Sequence, residues 1–146
     1  MKEGFAMFEN FMNFLFGKNN NIRGNNNIFN YQNRYRNNRY LYKLIPFEQA
    51  KNMIEQNQVI LIDVRTGSEF DLMHIKGAIN IPVADIEKKI FIYEQNTPIM
   101  VYCSSGVRSK KAIDILNNLG YNNIYIWEYG ALATFPYKNM LEYNGN

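Results

Sequence analysis

The segment Tyr102-Cys103-Ser104-Ser105-Gly106-Val107-Arg108-Ser109 carries the only cysteine of the chain, at the meeting point of two sequence patterns. Before it, Pro98-Ile99-Met100-Val101-Tyr102 reads as a short buried strand. After it, Ala112, Ile113, Ile115, Leu116 and Leu119 recur at helical spacing and stop at Gly120. A strand–loop–helix junction points backbone N–H groups and the positive end of a helix at whatever the loop holds. A thiol there is favoured as thiolate, its nucleophilic form. A charge-assisted hydrogen bond from a loop amide adds about 1.5–3 kcal/mol, against ~0.3–1 kcal/mol from an ordinary helix terminus. Amides cupped around the sulfur therefore matter more than any single side chain. Gly106 suits such a cup, because glycine tolerates positive φ and lets the backbone close on a ligand. The competing reading is a buried structural cysteine. The polar neighbours Ser104, Ser105 and Arg108 argue for the reactive one.

The elements around this loop define its setting. Leu41–Ile45 is expected as a strand, followed by a helix that Pro46 opens through Phe47, Ala50, Met53 and Ile54. Val59-Ile60-Leu61-Ile62-Asp63 is a continuous apolar run, as in a strand covered on both faces. A short helix around Glu69–Met73, a strand at Ala78–Ile81, a helix over Val83–Tyr93 and a last strand at Ile124–Trp127 complete the pattern. Strands alternating with helices predict an α/β fold, a parallel sheet flanked by helices with right-handed crossovers. Ligand sites in such sheets lie beyond the carboxyl ends of the strands, which places Asp63 and Cys103 on one edge.

Residues 1–16 differ from everything after them. On a helix, Phe5, Met7, Phe8, Phe11, Met12, Phe14, Leu15 and Phe16 occupy one arc, and Lys2, Glu3, Ala6, Glu9, Asn10 and Asn13 the other. The stretch is too short to span a bilayer, which takes ~20 apolar residues. Its interrupting polar residues and the lack of a cleavage motif exclude a secretory signal. Its expected role is docking of residues 5–16 on a membrane surface, on a protein partner or on the chain itself. Residues 17–38, dominated by asparagine, are expected to be a flexible linker, leaving 39–146 as the folded domain.

With 146 residues the chain fits one ordinary domain and a tail. A single cysteine excludes an intramolecular disulfide, and no Cys/His spacing suggests a metal. A lone nucleophilic thiol suits a reducing compartment, so the expected location is cytoplasmic, with the membrane surface as the alternative. The net charge of +3 is too small to argue for nucleic acid. Arg23, Arg34, Arg36, Arg39 and Lys43 lie among tyrosines, but the surrounding asparagines suggest a solvated tether rather than a stacking surface.

At this point the residues resemble the rhodanese family. Leu61-Ile62-Asp63-Val64-Arg65, then Glu69-Phe70, then His74-Ile75-Lys76-Gly77-Ala78-Ile79-Asn80-Ile81-Pro82 resemble its first signature. The Cys103–Arg108 loop resembles its active-site loop, and Gly120-Tyr121 fits before the last strand. The resemblance covers roughly residues 41–136. It implies a five-stranded parallel sheet between helices and a catalytic cysteine that carries sulfane sulfur as a persulfide. The chain departs from the family pattern at Met73, commonly glycine, and in a loop whose one cation is Arg108. It also departs after the last strand, where Tyr129-Gly130-Ala131 replaces the usual paired glycines and tryptophan.

The loop spacing separates two chemistries. Cysteine phosphatases use Cys-x5-Arg, whose longer loop encircles a tetrahedral oxyanion that arginine closes bidentately. Here the arginine comes one position sooner, and the tighter cup suits a single terminal sulfur on Cys103. The expected activity is sulfur transfer by two-step nucleophilic catalysis. Cys103 takes sulfur from thiosulfate or a persulfide, and a thiol or cyanide accepts it. Amides from Ser104, Ser105, Gly106, Val107 and Arg108 are expected to hold the persulfide, and Arg108 to attract an anionic donor. No cofactor is expected. Asp63 and Arg65 are expected as a structural ion pair, with Glu69 a third member, and the single histidine, His74, as architectural rather than a base for Cys103. The alternative is a non-enzymatic interaction or regulatory module, which has no need for the cysteine, glycine and arginine together.

Overall fold

The computed structural model describes residues 41–144. The readings made for residues 1–16, 17–38 and the docking of 5–16 lie outside the described residues. Within them the elements run β1 (Lys43–Leu44), α1 (Phe47–Glu55), β2 (Ile60–Asp63), α2 (Gly67–Leu72), β3 (Met73–Ile75) and β4 (Ile79–Asn80). They continue through α3 (Ile86–Lys89), β5 (Ile99–Tyr102), α4 (Val107–Asn118), β6 (Ile124–Ile126) and β7 (Leu141–Tyr143). Five strands form one parallel sheet in the order β1-β6-β5-β2-β4.

Alternation along the central strands divides the core into two layers. On one face, Ile62, Ile99 and Val101 pack with Ile86 and Ile90 and with Ala112, Ile113 and Leu116 of α4. On the other, Leu61, Met100 and Tyr102 pack with Ala50, Met53 and Ile54 of α1 and with Trp127, Leu132 and Phe135. Because helices or C-terminal turns cover both faces, β2 and β5 have no polar face to show, which is why they read as unbroken apolar runs.

Three local expectations change. The strand expected over Leu41–Ile45 pairs with β6 only at Lys43 and Leu44. The helix expected over Val83–Tyr93 is a 3-10 turn at Val83–Asp85, one α-helical turn, and another 3-10 turn at Ile90–Ile92. Four β-branched residues disfavour a continuous α-helix there, and only Ile86 and Ile90 are buried, so a single turn covers the core. Met73, expected at a helix end, instead opens β3, which pairs antiparallel with β7. That two-stranded sheet was not expected, because β7 lies 66 residues further on in register with β3, Ile75 opposite Leu141.

Candidate functional site

The loop between β5 and α4 is anchored by the segment that follows β6. Cys103 N–H donates to the Gly130 carbonyl at 3.0 Å, and the Cys103 carbonyl accepts from Leu132 N–H at 2.7 Å. The Ser104 carbonyl accepts from Ala133 N–H. Cys103 thus extends β5 by one position alongside Ala131 before the chain turns. Gly106 makes that turn at φ +100° and serves as the N-cap of α4. A Cβ there would lie 2.2 Å from the Tyr129 carbonyl oxygen, so only glycine fits the conformation and the space.

The turn aims amides at the sulfur. Gly106 N–H donates to Cys103 Sγ at 3.0 Å and Ser109 N–H at 3.4 Å. Ser109 is itself buried and its hydroxyl donates to the Gly130 carbonyl at 2.8 Å. Of the loop amides expected to form the cup, Gly106 reaches Sγ, and Ser109, one residue beyond the expected set, is the second donor. Cys103 has 0% relative exposure. Burial by itself is what a structural cysteine shows; two amide donors converging on the sulfur are what a merely packed one lacks.

Ser104 is half-buried, while Ser105 and Val107 are exposed at the loop's surface. Arg108 is not a free cation. Its Nη1 and Nη2 donate to Glu69 Oε2 and Oε1 at 2.6 and 2.8 Å, and Nη2 also reaches Ser104 Oγ at 3.3 Å. Glu69 is therefore the partner of Arg108 and not a third member of the Asp63–Arg65 pair. Thr66 holds Glu69 from the other side. Its N–H and hydroxyl donate to Glu69 Oε2 at 2.9 and 3.0 Å, and its hydroxyl accepts from Glu69 N–H, forming a capping box on α2. The Thr-x-x-Glu spacing of that box is a local sequence signal; its link to Arg108 across the fold is not.

The Arg108 hydrogen bond, with help from Thr66, holds the Glu69 carboxyl well below the usual carboxylate range despite some desolvation. The same bond, together with the charge of Glu69, holds Arg108 further towards its charged form. A carboxylate with a depressed folded-state pKa stabilises fully above its unfolded value, about 4.3, and loses that contribution as pH falls towards the folded value. Thermal melts should therefore show a steady gap between wild type and Glu69→Gln from about pH 7 to about pH 5, narrowing below about pH 4 and still partly present at about pH 3. A constant gap across that range would mean that the pair's charge contributes nothing.

Asp63 and Arg65 lie one layer deeper. Arg65 Nε and Nη2 donate to the Asp63 carboxylate at 2.7–3.0 Å, the Arg65 N–H is a third donor at 2.9 Å, and Nη2 also reaches the Met73 carbonyl. Burial pulls the Arg65 pKa down, but the Asp63 bond and charge outweigh it, and the net shift is upwards. Asn80 ties the same turn by donating to the Asp63 and Arg65 carbonyls. His74 faces away from the loop: Nδ1 meets the Phe70 carbonyl at 2.8 Å, Nε2 meets Glu142 at 3.0 Å, and its ring stacks on Phe70. A cleft of about 810 Å³ lies there, lined by Asp71, His74, Lys76, Leu141 and Glu142 among others. No residue of the Cys103 loop lines it, so the chemistry is assigned to the loop and not to the cleft. Among the described residues there is no group of three or more His, Cys, Asp or Glu placed to hold a metal, and no helix long and apolar enough to cross a membrane.

Residues 47–133 match the family described as Rhodanese-like domain. Thiosulfate sulfurtransferase PspE of Escherichia coli (strain K12) is 35% identical over 65 residues, covering 43% of this chain and 62% of that protein. A tRNA uridine(34) hydroxylase of Buchnera aphidicola is 30% identical over 84 residues, 53% of this chain and 27% of that protein. The chain thus spans about a quarter of the hydroxylase and under two thirds of PspE. A rhodanese-like domain protein from Staphylococcus aureus superposes with a TM-score of 0.59 at 28% identity, covering 69% of this chain and 97% of that one.

Proposed function

The chain belongs to the rhodanese-like domain family, and on that premise we propose that it is a sulfurtransferase working through a persulfide on Cys103. The observation that carries this reading is the pair of amides, Gly106 and Ser109, donating to Sγ. Such donors favour an anionic sulfur, which is both the attacking thiolate and the terminal atom of a persulfide. In the first step the Cys103 thiolate attacks the outer sulfur of a sulfane donor. With thiosulfate, a new S–S bond forms at Cys103, the donor's S–S bond breaks, and its electron pair leaves on sulfite. In the second step a cyanide or thiolate acceptor attacks the outer sulfur, and the electron pair of the breaking bond returns to Cys103. Neither step needs a general base, which agrees with the engagement of His74 elsewhere. In this reading Arg108, paired with Glu69, ties the loop to α2 and holds Ser104 in place.

The test is intact mass after incubation with a sulfane donor. The expected result is a gain of one sulfur atom, reversed by dithiothreitol and located by peptide mass on Cys103. Failure to gain sulfur from both thiosulfate and a thiol persulfide would sink the reading. It would leave the non-enzymatic module, which the complete burial of Cys103 favours.

A further inference from the structure

Arg108 is the only cation between Cys103 and Ser109, and its charge is cancelled where a donor must arrive. Both terminal nitrogens of the guanidinium bond to the two oxygens of Glu69. The two side chains are 33% and 34% exposed, so the pair sits at the surface of the loop and not in the core. Glu69 cannot swing aside without releasing the Thr66 N–H and hydroxyl, which would undo the side-chain half of the capping box on α2. Arg65, the buried cation one layer below, is cancelled in the same way by Asp63. Val107, next to Arg108, adds an apolar surface that is 60% exposed.

This arrangement treats sulfur donors unequally. Thiosulfate is a dianion, and on approaching Arg108 it meets a carboxylate that already occupies the bidentate edge of the guanidinium. A persulfide on a thiol carries one negative charge or none and presents an apolar stem. We propose that Glu69 is a specificity-determining residue that, by neutralising Arg108, disfavours thiosulfate and sets the site for a persulfide donor. The inference rests on the sulfurtransferase reading above. With such a donor the Cys103 thiolate attacks the terminal sulfur of R–S–SH. The new S–S bond forms at Cys103, the donor's S–S bond breaks with its electron pair on the leaving thiolate, and the proton passes to that thiolate. The products are RSH and the Cys103 persulfide anion.

The test compares kcat/KM for thiosulfate and for 2-mercaptoethanol persulfide, whose stem carries no charge, in wild type, Glu69→Gln, Arg108→Met and the double variant. Glutamine keeps a carbonyl oxygen for Thr66 while removing the charge. Glu69→Gln should shift selectivity towards thiosulfate by at least about tenfold, mainly through a lower thiosulfate KM, since a nearby unit charge is worth that much even when well screened. The gain should shrink as salt is added. Arg108→Met should shift selectivity the opposite way, and the double variant should return to within about threefold of wild type. Unchanged selectivity in Glu69→Gln, or a shift in the same direction in both single variants, overturns the proposal. Should Glu69→Gln lose its fold, Arg108→Met alone decides, and unchanged selectivity there overturns it equally. Wild type that gains no sulfur from either donor, read by intact mass, marks failure of the sulfurtransferase reading itself.

Discussion

Replacing Gly106 by alanine should slow sulfur loading of Cys103 by roughly 10²-fold or more, the usual cost of losing one aligned donor to a developing anion. Two independent effects converge on this residue. Its φ of +100° is a conformation that L side chains rarely adopt. The added Cβ would also stand 2.2 Å from the Tyr129 carbonyl oxygen, a backbone atom that no side-chain rotation can move aside. Tyr129 is itself at φ +64° and its neighbour Gly130 holds the Cys103 N–H, so neither strand of the contact yields cheaply. The loop must open, and the 3.0 Å bond from Gly106 N–H to Sγ is the first to go. Gly77→Ala supplies the control. That glycine also has positive φ, at +82°, but nothing lies within 4 Å of its added Cβ. It should lose about 1 kcal/mol of stability to backbone strain and keep its loading rate. Equal loss of rate in both variants would show that strain alone, and not the placement of the amide, governs the loop.

Arg65→Met should cost about 3–5 kcal/mol, because it leaves a buried carboxylate without its counter-charge. Asp63 has 0% exposure and Arg65 5%, so water cannot replace the lost partner. The expected fall in Tm is roughly 10–30 °C for a domain of this size. The damage extends beyond one pair. Arg65 also holds the Met73 carbonyl at the start of β3 and lies over the Tyr102 ring, which in turn receives Ile75 N–H on its hydroxyl. Burial raises the Tyr102 pKa well above its ordinary value, so the phenol stays neutral and available to that amide. Removing both charges together, in Asp63→Asn with Arg65→Met, should recover part of the loss, since the unpaired buried charge is then gone. A single variant that melts within about 2 °C of wild type would show that the pair is not a structural anchor.

These predictions draw on features that differ in how far the sequence alone could reach. Layering and strand direction were legible, because Val59–Asp63 and Pro98–Tyr102 are continuous apolar runs separated by helical patterns. A run without alternation requires cover on both faces, which the described structure provides. The strand-to-helix turn at Cys103–Arg108 was legible for the same reason: local periodicity changes there, and glycine marks the bend. Less was legible where one short apolar stretch could satisfy the core in more than one local geometry. Val83–Tyr93 folds as 3-10 and α turns because burial needs only Ile86 and Ile90.

Long-range partners were decided by the tertiary fold. Glu69 lies 39 residues from Arg108, and Thr66-x-x-Glu69 announces a helix cap but says nothing of the guanidinium that the crossover brings to it. Asp63 and Arg65, two residues apart, could be paired from the sequence because a strand end places them together; the exclusion of Glu69 from that pair could not. His74 is a similar case. Its position before Ile75 was readable, but the partners that occupy both ring nitrogens come from Phe70 and from Glu142 at the far end of the chain. The Gly130 carbonyl that anchors Cys103 and the Tyr129 carbonyl that forbids a side chain at Gly106 belong to the turn after β6, more than twenty residues further on. Local pattern determines which backbone conformation each segment prefers, through side-chain periodicity and turn chemistry. Which charge meets which, and therefore whether the loop cation faces a donor or a carboxylate, depends on distances that arise only when the crossovers close the sheet.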